Sequence, residues 1–396
     1  MLWMLFYLIM NDPFDVICFS HLRWDFVYQR PQHLMSRFGR GGRVFFVEEP
    51  VAADGGPRMD VSEREGNVFV CTPRTDDQAP IPQLVADMAR ERGLDNYIVW
   101  FYTPMMLDLA GELTPRAVVY DCMDQLSAFR GAPPELLERE RELFERADLV
   151  FTGGQSLYEA KRGQHDAVYP FPSSIDVAHF GRAREIQADV EEQAAIARPR
   201  IGFAGVIDER SDLELLASMA DLRPDWSFIM VGPVVKIDEA DLPRRANIYY
   251  LGQKAYDDLP AILAGWDAAM MPFALNESTK YISPTKTPEY LAAGLPVVST
   301  AITDVVRPYA AECLVEIAQT PEEFVEKLEK VMAEDPTSRR AKADEFLKHV
   351  SWDKTFLAMR GLIKRAIESK DQAQEATASA TGSDLKAPEL EAGAAG

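Results

Sequence analysis

The chain is short of cysteine, histidine and basic residues, and each shortage closes a class of function. Its 396 residues include four cysteines, Cys18, Cys71, Cys122 and Cys313, widely spaced and without a CxxC pair. That excludes a disulfide framework and reads as buried thiols in a reducing compartment. Five histidines, none in a ligand spacing, give no expected metal site. Forty-two basic residues against 63 acidic ones leave a formal net charge of −21. A nucleic-acid-binding protein needs a basic face to neutralise phosphates, so no nucleic-acid partner is expected. Small anions remain open as ligands, because a few local N–H groups and side chains hold them whatever the global charge. Long apolar runs are also lacking. The longest, "MLWMLFYLIM", has ten residues, against the roughly 20 that a membrane-spanning helix needs. It has neither a basic segment before it nor a small-residue cleavage site after it, which argues against a secretory signal. An extension from an upstream start codon, a membrane-surface anchor and a leading strand are its three readings.

What is present is an alternation. An apolar share of 47% over this length fits two ordinary domains. Short runs rich in Val, Ile and Phe alternate with helix-length amphipathic runs, which signals parallel sheets with crossover helices. The first set of strands is "DVICFS", "RVFFVE", "NVFVCT", "YIVWFY", "AVVYD", "DLVFT" and "AVYPF"; the second is "RIGFAG", "SFIMVG", "NIYYLG", "AAMMPF", "PVVST" and "CLVEI". The fold class expected is α/β, two Rossmann-like doubly wound domains facing across a cleft. The boundaries are an apolar extension over 1–13, a first domain over 14–180, a polar linker over 181–199 and a second domain over 200–350. "SWDKTFLAMRGLIKRAI" spaces its apolar residues as a packed helix does, over 351–368. Residues 369–396, biased to Ala, Gly, Glu and Gln, are expected to be disordered.

In two facing doubly wound sheets, ligands bind beyond the carboxyl ends of the strands. "GFAGVIDERSDLELL" follows the first strand of the second set, and its Gly202 and Gly205 permit close backbone approach before a helix capped by Ser211 or Asp212. "YISPTKTPEYLAAGLPVVST" reads as a helix beginning at Pro284 or Pro288, capped by Ser283 or Thr287, ending at Gly294 and followed by a strand. Lys286 and Glu289 share a face of that helix in its first turn. An ammonium beside free N–H groups suits a phosphate, and a carboxylate one turn on can accept two ribose hydroxyls. In the first domain, His21 and Arg23 follow the first strand, while Asp121 and Asp124 close "AVVYD". Asp124 has two readings, a general base that deprotonates an acceptor hydroxyl or a cap of the next segment. Arg30 precedes a helix opened by Pro31, on which His33 reads as packed or solvated.

"SPTKTPEYLAAGLPVVST", with "GFAGVIDER" upstream and "SWDKTFLAMRGLI" near the end, resembles the nucleotide-binding half of GT-B fold glycosyltransferases of the family 4, group 1 type. "SHLRWDFVYQRPQHLMSRF" and "YDCMDQLSAFRGAPPELLERERELFERADLVFTGGQSLYEAKR" resemble the acceptor half of teichuronic-acid-type glycosyltransferases. The resemblance implies a metal-independent transferase with no cofactor beyond its co-substrate, a nucleotide-diphosphate sugar, UDP-sugar first. It implies a hydroxyl acceptor, lipid-linked or polysaccharide, in cell-surface synthesis, and a C-terminal helix crossing back to the first domain. Glu289 matches the family glutamate on the donor ribose and Lys286 a lysine near the diphosphate. Gly205, Arg210 and Tyr290 complete the donor candidates, His21 and Asp124 the catalytic ones, and Arg23, Arg30 and Asp121 the acceptor side. The chain departs from the pattern at Tyr281, Val206 and Ser211, where many members carry a glutamate, an arginine and a lysine. An epimerase on the same architecture and a non-catalytic nucleotide-sugar binder are the alternatives. Arg23, Arg30, Arg37, Arg40 and Arg43 outnumber Asp12, Asp15 and Asp25 near the amino terminus. Beside the apolar first decade, that excess has two readings: a cytoplasmic enzyme in peripheral contact with the inner membrane face, or a soluble enzyme with ordinary surface arginines.

Overall fold

The computed structural model describes residues 13–383, with side chains to residue 377. The expected extension over the first decade lies outside the described residues. Eight strands form the first sheet: β1 (Asp15–Ser20), β2 (Val44–Glu48), β3 (Arg58–Arg64), β4 (Val68–Arg74), β5 (Tyr97–Phe101), β6 (Val118–Cys122), β7 (Leu149–Thr152) and β8 (Val168–Pro170). Their order is β3-β4-β2-β1-β5-β6-β7-β8. Six more form the second: β9 (Arg200–Ala204), β10 (Ser227–Val231), β11 (Ile248–Tyr250), β12 (Ala268–Met271), β13 (Val297–Ser299) and β14 (Glu316–Ile317), in the order β11-β10-β9-β12-β13-β14. All neighbours are parallel except β3 and β4. The strand β3 was not expected: "RMDVSER" is polar, and its half-exposed edge position asks for no apolar run.

Alternation along β1 shows how the first sheet is covered. Ile17 and Phe19 enter one buried cluster, while Val16 and Cys18 enter the cluster on the opposite face. That second face is closed by α1 (Arg30–Phe38) and by the last helix. Four further helices matter for the site: α2 (Gln155–Lys161), α3 (Val177–Gly181), α4 (Leu213–Leu222) and α5 (Lys286–Ala292), before the last, α6 (Trp352–Ser383). Trp352, Phe356, Met359, Ile363 and Ile367 of α6 are all buried in the first-domain core. The helix crosses back as expected, because its apolar stripe has no other face to meet.

Two boundaries move. Ile175, Phe180, Ala183 and Ile196 already belong to the second core, so the chain leaves the first domain soon after β8 rather than at residue 180. The stretch expected to be a linker is packed. Gln193 is buried, donating to the carbonyl of Ile262 at 3.1 Å and accepting from the Trp266 indole at 2.8 Å. Its many acidic residues masked the few inward ones. The helix α6 also runs on past residue 369 to Ser383, overturning disorder for that part; residues 384–396 lie outside the described ones. Lys370 pairs with Asp148 at 2.9 Å and Asp371 with Arg116, which fastens this turn to the first domain. Beyond it, Ala- and Gln-rich sequence continues the helix on propensity.

Candidate functional site

The carboxyl ends of both sheets face one cleft. On the second-domain side, β9 runs into Gly205, and α5 begins at Lys286, between the two expected starts, with Thr285 as its cap and Gly294 (φ +83°) ending it. A Cβ on Gly205 would stand 1.9 Å from Lys286 Cε and 2.5 Å from Nζ. Gly205 therefore exists to let the lysine lie across the turn, with its ammonium 5.7 Å from the Phe203 ring. Burial holds the Lys286 pKa below its ordinary value, with Glu289 opposing. The same burial pushes the Glu289 carboxyl up, against Lys286 and the Thr285 hydroxyl. Glu289 also acts on the phenol of Tyr256, whose buried hydroxyl has no partner.

Arg210 is tied to Asp208: Nε donates at 2.9 and 3.0 Å and Nη2 at 2.6 Å. Its guanidinium lies 5.5 Å from the Phe129 ring of the first domain, and Lys236 lies 5.0 Å from the same ring. A cavity of about 100 Å³ at the base of the cleft is lined by Lys286, Arg210, Arg30, Asp124, Ser173 and Ser283. It opens beside a second of about 430 Å³, lined by His21, Asp124, Phe129, Arg130, Arg210 and Lys236 among others. Glu49 and Met105 are shared between this one and a third of about 740 Å³, walled by Pro50, Pro82, Met106 and Leu109.

On the first-domain side, Asp124 is half-buried where the two inner cavities meet, and burial raises its pKa against the pull of Arg210 and Arg30. His21 has a buried Nδ1 without a partner, and burial, then Lys236, lower its pKa to about 4. A neutral imidazole and a half-buried carboxyl thus stand together at the cleft edge.

Other candidates are placed differently. Asp121 is fully buried, and both its oxygens accept from Arg30, at 2.8 and 2.9 Å, while Arg30 Nη1 donates to the carbonyl of Phe171 at 2.7 Å. That pair holds the cavity floor; Asp121 cannot meet an acceptor. Arg23 is turned to Glu48 at 2.9 Å. Tyr290 is wholly buried, its hydroxyl accepting from the amide of Ala204 at 2.7 Å, so it braces β9 instead of contacting a donor. A Cβ on Gly202 would meet the Trp266 ring at 2.1 Å, which makes that glycine a packing residue. The arginines near the amino terminus are ion-paired. Arg37 and Arg40 both pair with Asp353, at 2.7 and 3.7 Å, and Arg43 pairs with Asp15 at 2.6 Å. Each of the five arginines has a carboxylate partner, Arg37 and Arg40 sharing one.

Asp208, Lys236, Phe129 and Tyr256 were missed. "VIDER" carries a local signal for the first, since Asp and Arg two residues apart can pair across a turn. The other three meet the site only through tertiary structure. Among the described residues no group of three or more His, Cys, Asp or Glu is placed to hold a metal ion, and no helix is long and apolar enough to cross a membrane.

Comparison with known proteins agrees with the fold and with the sequence resemblance. Residues 198–334 match the family described as Glycosyl transferases group 1. TuaH of Bacillus subtilis (strain 168), whose name assigns it to teichuronic acid biosynthesis as a glycosyltransferase, is 24% identical over 258 residues. That match takes in 60% of this chain and 64% of the relative, so the chain spans less than two thirds of TuaH. Among solved structures, sucrose-phosphate synthase from Thermosynechococcus elongatus superposes with a TM-score of 0.70 at 13% identity, covering 90% of this chain and all of that one. Anabaena Alr3699/HepE in complex with UDP-glucose gives 0.62 at 12%, covering 89% and 100%. Trehalose-6-phosphate synthase (OtsA) gives 0.60 at 12%, covering 89% and 99%. The architecture is thus that of GT-B glycosyltransferases.

Proposed function

We propose that the protein transfers a sugar from a nucleoside diphosphate, uridine first and guanosine next, to a hydroxyl acceptor. The observation that carries this reading is the small cavity where Lys286 and Arg210 converge beside Asp124. A departing diphosphate is an anion, and transfer through an oxocarbenium-like state is limited by how well that charge is met. The Lys286 ammonium, the Arg210 guanidinium and the amide groups opening α5 supply it, in a setting dry enough to strengthen each contact. Glu289, one turn along α5, takes the ribose hydroxyls. On the facing side, Asp124 is the base for the acceptor proton, its raised pKa bringing it toward a useful range, and His21, neutral at pH 7, orients the acceptor. An inverted product would support Asp124 as base; a retained one would give it an orienting part.

The acceptor enters through the larger cavities. Their walls of Leu126, Phe129, Met105, Met106, Pro82 and Leu109 suit an acceptor with an apolar portion, as a lipid-linked saccharide has. The four cysteines are free thiols, Cys18, Cys71 and Cys122 buried as expected and Cys313 exposed against expectation, in keeping with work in a reducing cytoplasm. A thermal-shift panel of UDP, GDP and ADP tests the donor half: at about a hundred times its Kd a ligand stabilises by roughly 2.7 kcal/mol. Glu289→Ala should abolish the shift and Asp124→Ala should leave it nearly intact. No shift with any nucleotide would overturn the reading. Labelled nucleotide sugars with a lipid extract then separate transfer, which labels lipid, from epimerisation, which alters only the donor, and from binding alone.

A further inference from the structure

The two domains also meet beside the small cavity, where Ser173 and Ser283 of its lining touch across the domains. After β13 the chain turns to Asp304, which is 4% exposed and whose Oδ1 accepts the amide of Ser156 at 3.0 Å. Ser156 stands in the first turn of α2, in the other domain, so a carboxylate of one domain caps a helix of the other. A carboxylate is the favoured partner of such unpaired amides. The residue before α2 is Gly154, with φ −161° and ψ 166°. That is extended backbone open to any residue, so conformation does not require glycine. Space does: a Cβ there would stand 2.2 Å from Asp304 Oδ2 and 3.1 Å from the Ser283 Cβ. Both obstacles belong to the second domain. Gly154 therefore makes room for an approach that exists only when the domains are together.

Three neighbours act in the same direction. The amide of Ser173 donates to Ser283 Oγ at 3.2 Å, and the Ser173 hydroxyl donates to the carbonyl of Ser283. Arg307 pairs with Glu159 of α2 at 3.2 Å, an exposed pair that adds little by itself. Tyr281, where the resemblance has a glutamate, packs against the first-domain core.

We infer that Gly154 and Asp304 form a clasp that holds the two domains in the closed arrangement. Its purpose rests on the transfer reading above; the contact itself does not. Lys286 and Arg210 lie on one domain and Asp124 and His21 on the other, so only closure brings the leaving group and the acceptor base to one cavity.

The test is small-angle scattering on the full chain, with and without saturating UDP, for the native protein, Gly154→Ala, Asp304→Ala and the double variant. Gly154→Ala should enlarge the radius of gyration relative to native. Asp304→Ala should enlarge it too, by loss of the cap. Gly154→Ala added to Asp304→Ala should enlarge it by much less than Gly154→Ala alone, because the obstacle at 2.2 Å is gone and only the looser approach of the Ser283 Cβ at 3.1 Å remains. Melting temperatures should stay near native throughout, since neither residue fills a domain core. A native radius in Gly154→Ala, or an equal increment in both backgrounds, would overturn the clasp. Failure of UDP to bind would count against the donor reading alone, because the unliganded comparison still reads the clasp.

Discussion

Gly205→Ala separates the packing of the cleft from its chemistry. The added methyl would fall 1.9 Å from Lys286 Cε and 2.5 Å from Nζ, which no real Cβ tolerates. The obstacle is the far end of a flexible side chain, so the lysine swings aside and the fold survives. What is lost is the placement of one ammonium against a phosphate. A hydrogen bond to a charged group is worth about 1.5–3 kcal/mol, or roughly ten- to more than a hundredfold in Kd. Titration calorimetry of UDP should show that loss with a melting temperature near native. Lys286→Ala should cost a similar amount, and the double variant no more than Lys286→Ala, because both changes remove the same contact. Gly232→Ala is the contrast. At φ +141°, with its Cβ 2.0 Å from the Gly205 carbonyl oxygen, it should damage the fold itself. If Gly205→Ala bound UDP as tightly as the native protein, Lys286 would not be the diphosphate ligand.

The remaining expectations concern stability. Arg30→Ala strands the buried Asp121 carboxylate and should cost about 3–5 kcal/mol in urea unfolding, whereas Arg23→Ala, half-exposed on Glu48, should cost under about 1 kcal/mol. His21, held neutral to about pH 4 in the folded protein, protonates near pH 6.5 when unfolded; stability from this group is full above about 6.5 and falls as pH drops toward 4, by up to about 3 kcal/mol. Urea midpoints at pH 7 and 4.5 should therefore converge in His21→Asn relative to native, and an unchanged difference would refute it. A chain ending at Val350 uncovers the first-domain face that Trp352, Phe356, Met359, Ile363 and Ile367 bury. At about 1.5–3 kcal/mol each the loss is on the order of 10 kcal/mol, and a first domain melting as in the full chain would contradict it.

The sheets were legible because a strand buried on both faces leaves an unbroken apolar run, and thirteen of the fourteen strands carry one or a shortened form of one. The exception, β3, sits at an edge where one polar face meets water. Within α5, Lys286 and Glu289 were legible from spacing alone, since helical geometry puts three-apart residues on one face. Their neighbour Tyr290 was misjudged for the reason that helps the others: the next residue along a helix points about 100° away, here into the core against Trp266. Lys236 and Phe129 had no local signal. Each becomes part of the site only because loops from different domains converge, a fact no window of sequence contains.

Charge shows the same division between local and long-range information. A chain of net charge −21 would repel a diphosphate if charge were spread evenly, yet the cleft holds Lys286, Arg210, Lys236 and Arg130 within a short distance of one another. At the Debye length of physiological salt, about 8 Å, distant carboxylates are screened and the near ones decide: Asp208 holds Arg210 at 2.6 Å and Glu209 stands 4.0 Å from Lys236. The arginines of the amino-terminal region teach the converse. They outnumber the acids beside them in sequence, but Glu48, Asp121 and Asp353 reach them from elsewhere in the chain. Local excess in sequence became paired in space, while a cluster of cations with Asp124 and Asp208 among them arose within an acidic chain. A charge count thus speaks to a binding surface only after the fold has decided which charges are paired. By that criterion Lys286 and Arg210 remain the groups best placed to meet a leaving anion. Lys286 is among the described side chains without an ion-pair partner, and Arg210 keeps Nη1 outside its pair with Asp208.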